Sequence, residues 1–380
     1  MSALLPAGAR RRGAGSSPLR RQRGIAMLVA ILLVALGTII ATAVAYESAM
    51  AARRGNATFG FDEALLVGQG AEALAAFGLK SSMQMSKAGT GGTVDVYPGQ
   101  PWAQPTVPLE VVPGITLEAS LEDMQGRFNL NWLVDYGSSP FGGSNGQSGG
   151  NQNGNVPNNG LANNGLGGGN NAIPGLTGAT PNAGAVRAFN KLLQMLNIDP
   201  KWTDMIVDWI DSDNMPQTQG AEDSAYLGQT PPYLAANRYL TSTSELLALP
   251  KFGRENFAKL APYISALPPA TALNVCTAPA QVLDAFATQT TFMSDGGAGL
   301  AKNREAAPGC FPELTSYKTQ NLEPNDLQLA GDKRFGTSSQ YFRLTSLVTI
   351  GSSEFNLYSL LYMENPGYLV HPVQRSFSPD

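Results

Sequence analysis

Twenty-one consecutive uncharged residues, Ile25 to Ala45, constrain this 380-residue chain more than any other feature. Most are Leu, Ile, Val, Ala or Met. At about 1.5 Å of rise per residue, a helix of that length crosses a hydrocarbon layer of roughly 30 Å. Six arginines precede it (Arg10, Arg11, Arg12, Arg20, Arg21 and Arg23), and no acidic residue does. Such a flank stays in the cytoplasm by the positive-inside rule, which puts the body of the chain across the membrane.

Four readings fit the segment. A cleaved secretory signal has a shorter apolar core, and its small-residue site would fall late, near Ala49 or Ala51. A twin-arginine signal is suggested by Arg20-Arg21, but this core is long and apolar for one. An uncleaved anchor fits by length. The fourth is a type IV pilin-like leader, a basic segment ending in glycine with an apolar helix starting at once. Arg21-Gln22-Arg23-Gly24 before Ile25-Ala26-Met27-Leu28 resembles that site, with the cut between Gly24 and Ile25.

A cut there removes six of the 25 basic residues and none of the 29 acidic ones, leaving 356 residues with a net charge of −10. An acidic body argues against a nucleic acid or an anionic membrane surface as partner. Cys276 and Cys310 fall in that body. In an oxidising compartment they are expected to pair. The closed loop of 34 residues is worth roughly 3–4 kcal/mol by chain entropy. Two buried free thiols are the other reading. His371 is the only histidine, which removes most Ser-His-Asp, Cys-His and His-rich zinc arrangements. It reads as structural.

Beyond the apolar run, residues Asp62 to Phe77 keep apolar side chains at three- and four-residue spacing, so one long helix is expected to about Lys80. Pro98 to Pro113 reads as a loop, and Ile115 to Asp123 alternates like a strand. Gly126-Arg127-Phe128-Asn129-Leu130-Asn131 reads as a turn into a second strand. From Gly137 to about Gly184 the chain is Gly, Asn, Ser and Pro with few apolar residues, a disordered insertion by composition. Ala185–Leu196, Lys201–Ile210, the stretch opened by Thr243 and Phe257–Ile264 read as helices. Leu273 to Pro279 reads as a short strand turning into a helix, with Thr277 as N-cap and Pro279 early in the helix. Ser339–Ile350 and Ser353–Met363 form a hairpin around Gly351-Ser352, and Leu369–Val373 is a last strand. Strands flank a helical insert, which is α+β in outline.

The strongest local chemistry is acidic. Asp208, Asp211, Asp213, Glu222 and Asp223 fall within 16 residues, interrupted by Pro216 and Gly220. Carboxylates crowded on one irregular loop repel unless a cation joins them, and hard oxygen ligands suit calcium. The loop is not an EF-hand, because Met215-Pro216 stands where its glycine belongs. A solvated acidic turn is the bland reading. Glu245 to Gly253 with Leu260 to Ile264 resembles a helix-hairpin-helix. The acidic surroundings and the export argument make it a packing module rather than a phosphate grip.

Taken in order, the Gly24/Ile25 junction, Gly126–Asn131, Asp208-Trp209-Ile210-Asp211-Ser212-Asp213 with Gly220-Ala221-Glu222-Asp223 and Tyr226-Leu227, Glu245–Gly253 and Leu273–Pro279 resemble one family. It is the large minor pseudopilin of type II secretion systems, the general secretion pathway K family, and the resemblance covers nearly the whole mature chain. It implies a pilin-like fold, a long N-terminal helix packed on an antiparallel sheet, with a large inserted α-helical domain. Together with the composition of the Gly/Asn stretch, it gives the divisions 1–24 leader, 25–80 helix, 81–136 first β part, 137–184 disordered insertion, 185–325 helical insert and 326–380 closing strands. It implies calcium held by Asp211, Asp213, Glu222 and Asp223, with Asp208 a further choice. It implies no enzymatic step, and a prepilin peptidase that cuts after Gly24 and methylates Ile25. The implied partners are the I-type and J-type minor pseudopilins, the major pseudopilin and the inner-membrane assembly platform, at the tip of a periplasmic pseudopilus anchored from the inner membrane. Pilin-like helices usually carry glutamate at the fifth mature position, and here Val29 stands there. A tip subunit has no subunit above it whose amine needs a carboxylate. The sequence departs from the family pattern in its long Gly/Asn insertion and in Cys276. A membrane-anchored periplasmic hydrolase and a tip component of a related type IV pilus or DNA-uptake system are the alternatives.

Overall fold

The structure, a computed structural model, describes residues 23–90, 94–104, 107–136, 179–286, 310 and 334–379. Most of the leader, residues 137–178 of the Gly/Asn-rich stretch and nearly all of the insert beyond Phe286 lie outside the described residues. The chain divides into two compact units, one ending at Glu63 and one starting at Ala64.

Helix α1 (Arg23–Thr90) runs through both. In the first unit its apolar side chains from Ile25 to Val44 are exposed, and the helix is long and apolar enough to cross a membrane. In the second unit Ala64, Ala71, Ala75, Leu79 and Met83 are buried at four- and seven-residue spacing, one face of a 3.6-residue period. The helix ends at Thr90 rather than near Lys80. Its glycines do not break it. Gly68 has a positive use, because a Cβ there would lie 2.8 Å from Leu357 Cδ2.

The remaining elements follow in order. Strands β1 (Leu109–Val112) and β2 (Ile115–Asp123) form a hairpin, so the expected loop to Pro113 is partly strand. All four β1 residues are exposed, so no alternation marked it in the sequence. Then come β3 (Phe128–Asn129), β4 (Val134–Tyr136), β5 (Ala179–Pro181), α2 (Ala183–Met195), α3 (Trp202–Ile210), α4 (Asp223–Leu227) and α5 (Gly253–Leu260). After them run β6 (Ile264–Ser265), β7 (Leu273–Asn274), α6 (Ala280–Phe286), β8 (Phe335–Gly336), β9 (Tyr341–Ile350), β10 (Ser353–Met363) and β11 (Val370–Ser376). Thr243–Ala248 is a 3-10 helix closed by a Ser242/Glu245 capping box, and a second 3-10 turn, Ala261–Tyr263, follows α5.

The main sheet is antiparallel with order β1-β2-β9-β10-β11. Strands β2 and β9 are neighbours, and Asp123 stands opposite Phe342. Everything between them is therefore an insertion into a hairpin-like pair. Buried Phe342, Leu344 and Val348 from alternate positions of β9 share one core with the α1 face, and Trp102 packs edge-on to Phe342 at 5.2 Å. The fold is α+β, a long helix on an antiparallel sheet with a helical insert, as expected.

The insert has its own core, including Phe128, Phe189, Ile206, Phe252 and Val282. It opens directly after β2 rather than at residue 185. Phe128, Leu130, Trp132 and Val134 belong to this second core, and the Phe128 ring packs 5.1 Å from Phe189 and 5.6 Å from Phe286. Residues 179–184, expected in the disordered stretch, form β5 and the Asn182-capped start of α2. Cys276 and Cys310 are joined in a disulfide. His371 packs its ring against Tyr362 in the outer part of the sheet.

The two parts meet at buried Asp123. Its carboxylate accepts from Gln125 N, Asn274 Nδ2, Thr277 Oγ and Ser339 Oγ at 2.6–2.9 Å. Helix α6 starts at Ala280, so Thr277 and Pro279 both precede it, and the Thr277 hydroxyl donates to Asp123. Gly126 must be glycine, since a Cβ would lie 2.8 Å from Thr277 Oγ1 and 3.0 Å from its backbone carbonyl.

Candidate metal centre

Helix α3 brings the first acids together. Asp204 and Asp208 are four apart on one helix face, and Asp211 caps the C-terminus with its N–H on Val207 O. Trp209, between them in sequence, packs edge-on to buried Tyr226 at 5.1 Å. That contact ties α3 to α4, whose first residue is Asp223 and whose N-cap is Glu222. The chain leaves α3, makes a loop and returns past Glu222.

Carboxylate oxygens of Asp211, Asp213 and Glu222 lie within 4.8 Å of one another. Asp211 is 1% exposed and Glu222 5%, whereas Asp213 is open to solvent. Both carboxylate oxygens of Asp211 and both of Glu222 are buried with no hydrogen-bond partner. Unpartnered buried carboxylates are among the costliest arrangements in a protein. Burial is the largest cause pushing the Asp211 carboxyl up to about 7 and that of Glu222 to about 8, and neighbouring carboxylates add to it. A divalent cation removes that penalty. Calcium–oxygen bonds of about 2.3–2.6 Å put ligand oxygens up to about 5 Å apart across one ion, which matches this spacing. The residues fit a hard cation.

Other acids of the same stretch are differently engaged. Asp208 is fully buried, and both its oxygens accept from Gln217 N at 3.1 Å. Burial raises it to about 6, with amide hydrogen bonds from Gln217 and Ala221 offsetting part of that. Asp223 accepts from Ala235 N at 3.0 Å and stands outside the three-carboxylate group. Asp204, which the sequence reading passed over, accepts from Gln219 N at 3.0 Å. Its signal was present in its four-residue spacing from Asp208, but the amides it meets come from a turn that only the fold brings near.

The family described as Type II secretion system (T2SS), protein K matches residues 126–269, which contain this centre. Type II secretion system protein K of Pseudomonas aeruginosa is 28% identical over 358 residues, 92% of this chain and 91% of that protein. The protein of the same name from Aeromonas hydrophila is 32% identical over 255 residues, 66% of this chain and 65% of that one. Among solved structures, a chain of the GspK-GspI-GspJ complex from the enterotoxigenic Escherichia coli type 2 secretion system matches with a TM-score of 0.63 at 21% identity. That match covers 86% of this chain and all of the other, and it speaks to the fold.

Proposed function

We infer that this chain is a type II secretion minor pseudopilin of the protein K kind, standing at the tip of the secretion pseudopilus. It initiates or caps that filament for export of folded proteins across the outer membrane. The observation that carries this reading is the architecture, an apolar N-terminal helix leading into a pilin-like sheet interrupted by a large helical insert. The helix anchors the subunit in the inner membrane before assembly, with its basic flank cytoplasmic and its body periplasmic. A prepilin peptidase cuts between Gly24 and Ile25 and methylates the new amine. Val29 supports a tip position, because a capping subunit needs no carboxylate there. The chain performs no catalysis of its own. Its partners are I-type and J-type minor pseudopilins, then the major pseudopilin and the assembly platform. Co-expression with the I- and J-type subunits of the same organism tests this. A complex containing one copy of each, by light scattering after size exclusion, is expected. Failure of all three to associate contradicts it.

Calcium would be held by Asp211, Asp213 and Glu222, whose carboxylates would supply its hard oxygen ligands. The orphaned oxygens of Asp211 and Glu222 support this. The ion neutralises the buried acids and fixes the loop before α4; it has no chemical step to perform. Excess chelator is expected to lower the melting temperature, and added calcium to restore it. An unchanged melt in chelator rejects the site.

A further inference from the structure

We propose that Asp204 and Asp208 are positioning residues, which clamp the 217–221 turn onto α3 and so hold Glu222 opposite Asp211 without touching the ion. The proposal rests on the metal reading above. The acids of this stretch fall into two kinds. Asp211 and Glu222 are more than nine-tenths buried and leave all four oxygens without partners. Asp208 is equally buried, but both its oxygens accept from the amide of Gln217 at 3.1 Å. Asp204, one helical turn earlier, takes the amide of Gln219. Alternate N–H groups of one turn therefore point at two carboxylates of one helix face. Glu222 follows three residues after the last of them, Gln219.

Gly220 shows how closely the turn is fitted. A Cβ there would lie 1.8 Å from Asp208 Oδ2, so no other residue lets the carboxylate into the turn. The Gly220 amide meanwhile closes the turn on Gln217 O at 3.0 Å. Without the clamp, Glu222 would be delivered by a free loop and its ordering would come out of ion affinity. Groups that orient ligands in this way commonly change metal affinity by 10–100-fold when removed.

The test uses the full chain in detergent with terbium as a luminescent probe of the calcium site. Affinity comes from titration, and the number of water molecules on the ion comes from decay rates in H2O and D2O. Calcium displaces terbium from the wild-type chain. Asp208→Asn is expected to weaken binding about tenfold while the hydration number stays unchanged. Asp211→Asn, which removes a ligand, is expected to add water to the ion or abolish binding. Gly220→Ala keeps every carboxylate and is expected to weaken binding as Asp208→Asn does, and it decides the matter if Asp208→Asn fails to fold. A raised hydration number in Asp208→Asn would make Asp208 a ligand and overturn the proposal. Wild-type affinity in Gly220→Ala would overturn it as well. If the wild-type chain binds neither ion, the metal reading fails first and the clamp has nothing to position.

Discussion

Asn131 is 1% exposed and spends its whole side-chain amide on distant backbone. Its Nδ2 donates to Leu240 O at 2.9 Å and Leu267 O at 2.8 Å, and its Oδ1 accepts from Leu240 N at 2.8 Å. Asn129 does the same for Leu267, accepting from its N–H and donating to its carbonyl. The Gly126–Asn131 motif thus binds two far segments through side chains that mimic backbone. Asn131→Ala leaves those groups buried without partners and is expected to cost roughly 2–4 kcal/mol, read as a shift in denaturation midpoint at constant slope. Loss below about 0.5 kcal/mol would mean that water replaces the amide. The sequence made this motif a turn into a strand, but the partners of its asparagines lie over a hundred residues away. The acidic loop was legible to a similar depth. Asp211, Asp213 and Glu222 could be picked out as crowded acids, whereas the engagement of Asp208 and Asp204 by amides depends on how a turn folds back.

Helix α1 joins the sheet through one buried charge as well as its apolar face. Glu72 accepts from Arg375 Nε and Nη2, each at 2.7 Å, and from Ser359 Oγ at 2.6 Å. Burial raises the Glu72 carboxyl, but the bonds from Arg375 and Ser359 more than offset it and hold the group below the usual range. The folded state therefore binds the proton less tightly than the unfolded chain. This contribution is fully present above the unfolded value of about 4.3 and is lost as pH falls through the lower folded value. Glu72→Gln is expected to melt at a lower temperature than the wild type at pH 7, with the gap closing below about pH 4. A gap independent of pH would assign the effect to packing. The helix itself was plain in the sequence, since its apolar spacing needs only local periodicity. Its last ten residues, Ser81 to Thr90, were not, because three serines and Gly89 among them favour a stop by propensity. Of the five glycines between residues 55 and 78, which do not break the helix, only Gly68 would bring a Cβ within 4 Å of a neighbour, Leu357.

The whole molecule combines a hairpin-like pair of strands with a large insertion between them. Strand alternation in β2, β9 and β10 made the sheet readable. The point where the insert begins was hidden, because Phe128 to Val134 look equally apolar whichever core they enter. The disulfide between Cys276 and Cys310 ties the segment carrying Asn274 and Thr277, two of the groups that meet Asp123 at the junction. That junction gives the sheet and the insert a common polar anchor in a chain whose first helix is long and apolar enough to cross a membrane. On the proposed function, the subunit would pass from membrane to filament, and the first requirement would be removal of the basic flank. The mature N-terminus tests that most directly. Mass spectrometry of the chain isolated from membranes of its own host is predicted to find it starting at methylated Ile25. A chain that keeps Met1, or one that begins near residue 50, would contradict the pseudopilin account.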